Sequence, residues 1–258
     1  MTRHFLDITD LSLDELHLVL DLSKRASLPK VLDGKGAALI FEKPSNRTRH
    51  SMEMAVVQLG GHPIYTRGEE VGFDVREPVE DITRVMAGYH AVLAARVFEH
   101  SVVARMAAVS PVPVVNMLSD LSHPLQALAD VLAMEEVHGS LAGHRVAFVG
   151  DWNNVSRSLA EACIMLGAEV SLGCPQGYDV SDDELVRLGS LGSGSVVQTD
   201  DVYAAVAGAT AVHTDTWTSM GQEAEKAARV EAFRGFGVSA ALMSRAAAGA
   251  GFYHCMPA

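Results

Sequence analysis

The sequence predicts an α/β protein built from two doubly wound parallel-sheet domains. Three observations carry that prediction. Apolar runs of strand length alternate with amphipathic helical segments through all 258 residues. The alternation restarts near residues 133–144, which predicts two domains, residues 1–135 and 136–258. Ala, Val, Leu and Gly dominate while aromatics make up only 6 %, a mix that suits helix-covered sheets better than a β-sandwich.

Each element has its own signal. In "DLSLDELHLVLDLSKRA" apolar residues recur at helical spacing, Ser12 is placed to cap the helix, and Glu15 stands three residues on. "GAALIFEK" reads as a buried strand, and "SNRTRHSMEMAVVQLGG" as a helix that stops at Gly60 and Gly61. "HPIYT" is a short strand. "VEDITRVMAGY" is amphipathic, with Val79, Ile82, Val85 and Met86 on one side. "HAVLAARV", "SVVARMAAVS", "VPVVNML" and "HPLQALADVLAMEEVHG" continue as strand, helix, strand, helix.

The second half repeats the scheme. "HRVAFVGD", "AEVSLGCP" and "SVVQTD" read as strands, with helices predicted at "SRSLAEACIMLG" and "SDDELVRLGSLG". "DVYAAVAGATAVHTDTW" supplies a helix and a strand, and "VSAALMSRAAAGAGFYHCMPA" another of each. "GSLGSGS" (189–195) reads as a small flexible loop without chemistry.

Bulk properties narrow the function. The net charge of −12 argues against a general nucleic-acid surface, which rests on clustered positive charge. Three scattered cysteines make neither a disulfide framework nor a CxxC zinc site, so no metal is expected. The opening "MTRHFLDITDLS" lacks a secretory core, and no apolar run of about 18 residues reads as a membrane span. The expectation is a cytoplasmic protein without membrane or nucleic-acid partners.

Against that acidic background "EKPSNRTRHS" (42–51) stands out. It follows a strand and opens a helix, the layout that presents free backbone N–H groups to an anion. Ser45 and Thr48 add hydroxyls. Arg47 and Arg49, two positions apart, point to different sides, so one is free to fork onto a phosphate while the other supports the fold. No GxxxxGK[ST] occurs, so this is not a Walker loop. By itself the stretch reads equally well as a capped helix with solvated arginines.

Its company decides the matter. "SNRTRHS" resembles the SxRTRxS phosphate loop of the carbamoyltransferases. "ARVFEH" (95–100), "SHPLQALAD" (122–130), "GDWNNV" (150–155), "DTWTSMG" (215–221) and "HCMP" (254–257) resemble the remaining blocks of that family, in the family's order. The SMG and HCxP blocks make the chain most similar to the ornithine branch rather than the aspartate branch.

The resemblance implies transfer of a carbamoyl group from carbamoyl phosphate to the side-chain amine of L-ornithine, giving citrulline and phosphate. The first domain would bind carbamoyl phosphate and the second the amino acid. Ser45, Asn46, Arg47 and Thr48 would hold the phosphate, with Asn46 where relatives usually carry Thr. Arg96 would reach the carbonyl oxygen and phosphate, and His123 and Gln126 the carbamoyl end. Leu125 stands where Cys or Thr is common.

In the second domain Asn154 would bind the α-carboxylate and Asp215 the α-amino group. Ser219 and Met220 would belong to a closing loop, and Cys255 and Met256 would face the reacting amine. Cys255 would act as a proton partner or an orienting group. Trp152 replaces a smaller residue. GxGxxG is absent, so NAD is not expected, and the expectation is a protein without a cofactor. A homotrimer is expected from the family.

Relatives run past HCxP with a further arginine and a final helix, so the second domain is read as C-terminally incomplete. Truncation, a degenerate paralogue and completion by another subunit all stay open as readings of that ending. Two other functions compete: transfer to another amine, such as a modified ornithine or putrescine, and non-catalytic binding of carbamoyl phosphate.

Overall fold

The computed structural model describes residues 2–218 and 223–256. They form two compact units, 1–125 and 126–258.

The first unit begins with α1 (Leu13–Ser23), closed at its start by the reciprocal Ser12–Glu15 capping box. It continues through β1 (Gly36–Phe41), α2 (Asn46–Gln58), β2 (His62–Arg67), α3 (Gly68–Val71), α4 (Val79–Ala87), β3 (His90–Arg96), α5 (His100–Val109) and β4 (Val114–Leu118). The four strands are parallel in the order β2-β1-β3-β4.

Side chains alternate across β1, so its two faces feed two cores. Ala38 and Ile40 pack with Val79 and Ile82 of α4 and with Val102, Val103 and Met106 of α5. Ala37, Leu39 and Phe41 pack with Val56 and Met52 of α2. With both faces covered, the strand has no polar position to spare, which is why its sequence is an unbroken apolar run.

The second unit contains β5 (Arg145–Val149), α7 (Asn154–Met165), β6 (Glu169–Gly173), α8 (Asp182–Gly189), β7 (Ser195–Thr199), α9 (Val202–Val206), β8 (Ala211–Thr214), α10 (Lys226–Ala232), α11 (Ala240–Met243) and β9 (Gly251–His254). Its five parallel strands run β7-β6-β5-β8-β9. The helix α6 (Pro124–His138) crosses the division between the units in sequence. All but its first two residues fall in the second unit, so this division lies ten residues before the boundary read from the sequence.

Each sheet reverses its direction of growth once. In the first, the chain steps from β1 to β2 on one side and returns to place β3 on the other. In the second, it steps from β5 to β6 and β7, then returns to place β8 beside β5. A crevice opens at the carboxyl ends of strands flanking such a reversal, and ligands bind there in open α/β sheets. "SNRTR" follows β1 and Arg96 ends β3; "GDWNN" follows β5 and Asp215 follows β8.

Two short helices, α3 and α10, fall where the sequence carried no sustained period. The 189–195 loop is more than a flexible connection. A Cβ on Gly192 would lie 2.6 Å from the Ile164 carbonyl oxygen, and one on Gly194 2.3 Å from that of Ala168. These glycines let the loop lie directly on the backbone that ends α7. Among the described residues, no helix is long and apolar enough to cross a membrane.

Candidate active site

The first crevice is built on the start of α2. Ser45 takes extended backbone angles (φ −156°, ψ 117°), and its hydroxyl accepts from the Thr48 N–H at 3.3 Å. It also donates to the Thr48 hydroxyl at 3.0 Å. No acidic residue occupies the first turn, so the positive end of the helix is left for an outside anion. Asn46 and Arg47 are exposed there, and Ser45 and Thr48 are half-buried.

The structure separates the two arginines. Arg49 bonds Glu53 at 2.8 Å, and its guanidinium lies 3.8 Å from the centre of the Tyr65 ring. It is the supporting arginine. Arg47 instead lies close enough to Arg96 for its charge to disfavour a second cation there.

Arg96 ends β3 and is only 7 % exposed. One guanidinium N–H donates to the Thr48 hydroxyl over a long 3.4 Å, and Nε is buried without a hydrogen-bond partner. Among the described residues no carboxylate pairs with it. Burial, and then Arg47, push its pKa down to about 10, so it keeps its charge at neutral pH. A buried cation without a counter-ion is costly, and a bound anion relieves that cost. His123, just ahead of α6, has its Nδ1 buried although the residue is half-buried. Desolvation, then Arg96 and Lys43, push its pKa down to about 3, which leaves a neutral imidazole beside the cations.

The second crevice centres on Asp215. Its carboxylate accepts from the Thr216 N–H at 2.7 Å, from Asn153 Nδ2 at 3.2 Å and from the Cys255 thiol at 3.0 Å. Burial first, and then Asp215, push the Cys255 pKa well above the ordinary thiol value. The thiol therefore keeps its proton and donates it to the Asp215 carboxylate in a hydrogen bond. His254 accepts the Met256 N–H at 2.8 Å, and Met256 has a left-handed φ of 62°. Asn154 opens α7. Ser219 and Met220 lie outside the described residues.

Sequence reasoning passed over Asn153. Its side chain caps α7 by accepting from Val155 N and Ser156 N, while its amide holds Asp215. The Asn-x-x-Ser spacing of a capping box was the available signal. It also passed over the buried pair of Arg229 and Asp151. Arg229 further donates to the Trp217 carbonyl and lies over Tyr178 and Phe233. Asp215, His254 and Cys255 bring potential metal-ligand atoms within 4.8 Å of one another. For a cation to bind, Cys255 would first have to lose the proton that burial and Asp215 keep on it.

Two parallel α/β units, one with an acid-free helix start beside a buried arginine and one with a carboxylate anchor, each at a sheet reversal, make a two-domain α/β fold with the parts to hold two small ligands. The chain belongs to the aspartate/ornithine carbamoyltransferase family. Residues 3–136 match the family's carbamoyl-phosphate-binding domain and residues 142–258 its aspartate/ornithine-binding domain. It is 44 % identical to an ornithine carbamoyltransferase of Thermus thermophilus over 262 residues, covering 100 % of this chain and 85 % of that protein. It is 43 % identical to that of Halorhodospira halophila, covering 99 % and 86 %. Among solved structures, ornithine carbamoyltransferase from Thermus thermophilus superposes with a TM-score of 0.90 at 40 % identity, covering 100 % of this chain and 86 % of that one. The anabolic enzyme from Campylobacter jejuni superposes with a TM-score of 0.92 at 32 % identity, covering 100 % and 87 %.

Proposed function

We propose that this protein transfers the carbamoyl group of carbamoyl phosphate to the side-chain amine of L-ornithine, releasing citrulline and phosphate. The observation that carries the reading is Arg96, a buried cation without a carboxylate, set beside Arg47 and Thr48 at the open start of α2. The names of the Thermus thermophilus and Halorhodospira halophila relatives support ornithine as the acceptor.

Ser45, Asn46, Arg47 and Thr48 hold the phosphate through hydroxyls, a guanidinium and first-turn N–H groups. The neutral amine attacks the carbonyl carbon, and charge builds on the carbonyl oxygen. Arg96, His123 and Thr48 supply the donors that stabilise this charge. The bond from that carbon to the bridging oxygen breaks, phosphate leaves, and the new amide nitrogen gives up a proton to phosphate or solvent. No covalent enzyme intermediate is needed, because holding both substrates in line supplies much of the rate.

Gln126 binds the carbamoyl end. Asp215 holds the α-ammonium of ornithine and Asn154 its α-carboxylate, while Ser219, Met220, Cys255 and Met256 complete the amino-acid pocket. Residues 1–135 and 136–258 divide the two binding tasks. The protein works in arginine metabolism, in the cytoplasm, as a homotrimer.

Purified protein given carbamoyl phosphate and L-ornithine is expected to make citrulline, and neither substrate alone suffices. Arg96→Ala should lower kcat/KM by about 100-fold or more, the usual effect of removing a donor to a developing oxyanion. A folded, soluble protein that makes no citrulline overturns the proposal. Turnover of putrescine or an acylated ornithine in place of ornithine would overturn the choice of acceptor alone.

A further inference from the structure

We propose that Asp130 is a positioning residue that dictates which end of the Gln126 carboxamide is presented to substrate, and that His213 holds Asp130 in place for this. The inference rests on the carbamoyl-transfer reading above, in which Gln126 meets the carbamoyl end.

The geometry is simple. Gln126 and Asp130 are one turn apart on α6, and Gln126 Nε2 donates to Asp130 Oδ1 at 2.9 Å. The other oxygen, Oδ2, accepts from His213 Nε2 at 3.1 Å. His213 lies on β8, is fully buried, and stacks on Phe148 with centroids 5.6 Å apart and planes 19° apart. Its Nδ1 is buried without a hydrogen-bond partner, so Asp130 is the ring's one hydrogen-bond partner among the described residues. Among those residues no arginine or lysine pairs with Asp130, which is itself buried.

Chemistry then fixes the amide. A carboxylate can only accept hydrogen bonds. Gln126 must therefore turn its NH2 toward Asp130, and its carbonyl oxygen is the group left for a ligand. An oxygen there accepts from the N–H of a carbamoyl group and has nothing to offer a methyl in the same place. Without Asp130 the amide is free to rotate by half a turn and to present a donor instead. A buried carboxylate held by neither Arg nor Lys is a poor choice for stability alone. Fixing a neighbouring amide gives it a task that an apolar residue could not do.

The test compares carbamoyl phosphate with acetyl phosphate, which replaces NH2 by CH3. The quantity read is the Ki of acetyl phosphate, competitive with carbamoyl phosphate, divided by the KM of carbamoyl phosphate. Inorganic phosphate serves as a control for the phosphate end. The unmodified protein is expected to discriminate clearly. Asp130→Leu, similar in size but without an acceptor, should reduce the ratio by about tenfold, the scale of one lost polar contact. Its Ki for inorganic phosphate should hold within about twofold, because the phosphate contacts stay in place. Asp130→Asn keeps an acceptor for Gln126 when its NH2 faces His213, whose ring then accepts at Nε2 and carries its proton on Nδ1, and in that arrangement it should stay within about threefold of the unmodified ratio.

An unchanged ratio in Asp130→Leu overturns the proposal. So does an equal loss of affinity for all three ligands, which would mark general damage. If Asp130→Leu does not fold, His213→Phe carries the test: it keeps the ring stack, and the ratio should fall by at least about threefold as Asp130 loses one of its two anchors. An unchanged ratio in that variant overturns the proposal as well. Failure of the unmodified protein to use carbamoyl phosphate would instead remove the underlying reading of the site, and the inference with it.

Discussion

His123 illustrates how much a single residue's surroundings decide. Its ordinary pKa of 6.5 falls to about 3 through burial and the charges of Arg96 and Lys43. Between those two values the unfolded chain takes up a proton that the folded chain lacks. The residue's contribution to stability is therefore full above pH 6.5 and falls as the pH drops, by up to about 1.4 kcal/mol per pH unit. His123→Asn should flatten the acid side of the urea-midpoint profile between pH 6.5 and 4.5; parallel profiles would argue against the assigned pKa. The residues proposed to hold phosphate were legible because their hydroxyls and guanidinium groups sit together in "SNRTR". His213 and Asp130 were not, because they stand 83 positions apart and only the folded sheet brings them together. Asn153 was hidden for another reason: one side chain does two jobs, and its cap is the only one with a local signature.

At the scale of elements, the long strands and helices were legible because burial on both sheet faces leaves continuous apolar runs, and burial on one helix face leaves a period near 3.6. The four-residue α3 and seven-residue α10 are too short to establish such a period. In the 189–195 loop the sequence is ambiguous, because glycine and serine signal flexibility in a linker and close approach in a packed loop alike. The two cases are separated by what lies opposite, here the backbone of Ile164 and Ala168. Gly194→Ala should lower stability by about 1–3 kcal/mol, the range for forcing a methyl group into occupied space. The loop lies at the start of β7, away from the carboxyl-end crevice, so KM for both substrates should hold. Thermal denaturation alongside steady-state kinetics checks both halves of this expectation.

For the molecule as a whole, the acidic balance sets a further condition. A chain of net charge −12 repels an anionic substrate at long range, while in the proposed site Arg47 and Arg96 attract it locally. Salt at about 0.15 M screens exposed charges beyond about 8 Å and buried contacts much less. The value of kcat/KM for carbamoyl phosphate should therefore hold within about twofold between about 0.02 and 0.15 M salt. A tenfold fall would mean that a broad cationic field, and not the local site, captures the substrate. The two-unit plan was legible from the restart of the strand–helix alternation. The strand order was not, since the same run of elements permits several sheets, and it is the order that locates the crevices.

The state of the cysteines has a practical side. Burial drives the thiol of Cys163 far above its usual pKa and that of Cys174 up to about 12, and Cys255 is held protonated by burial and by Asp215. Electrophilic dyes react with the thiolate, so all three native thiols are poor targets at pH 8. A cysteine introduced on an exposed helix face, at Glu136 for instance, would carry the dominant thiolate in the chain. Single-site fluorophore attachment would then need no cysteine-free background, and the thiol beside Asp215 could stay as it is.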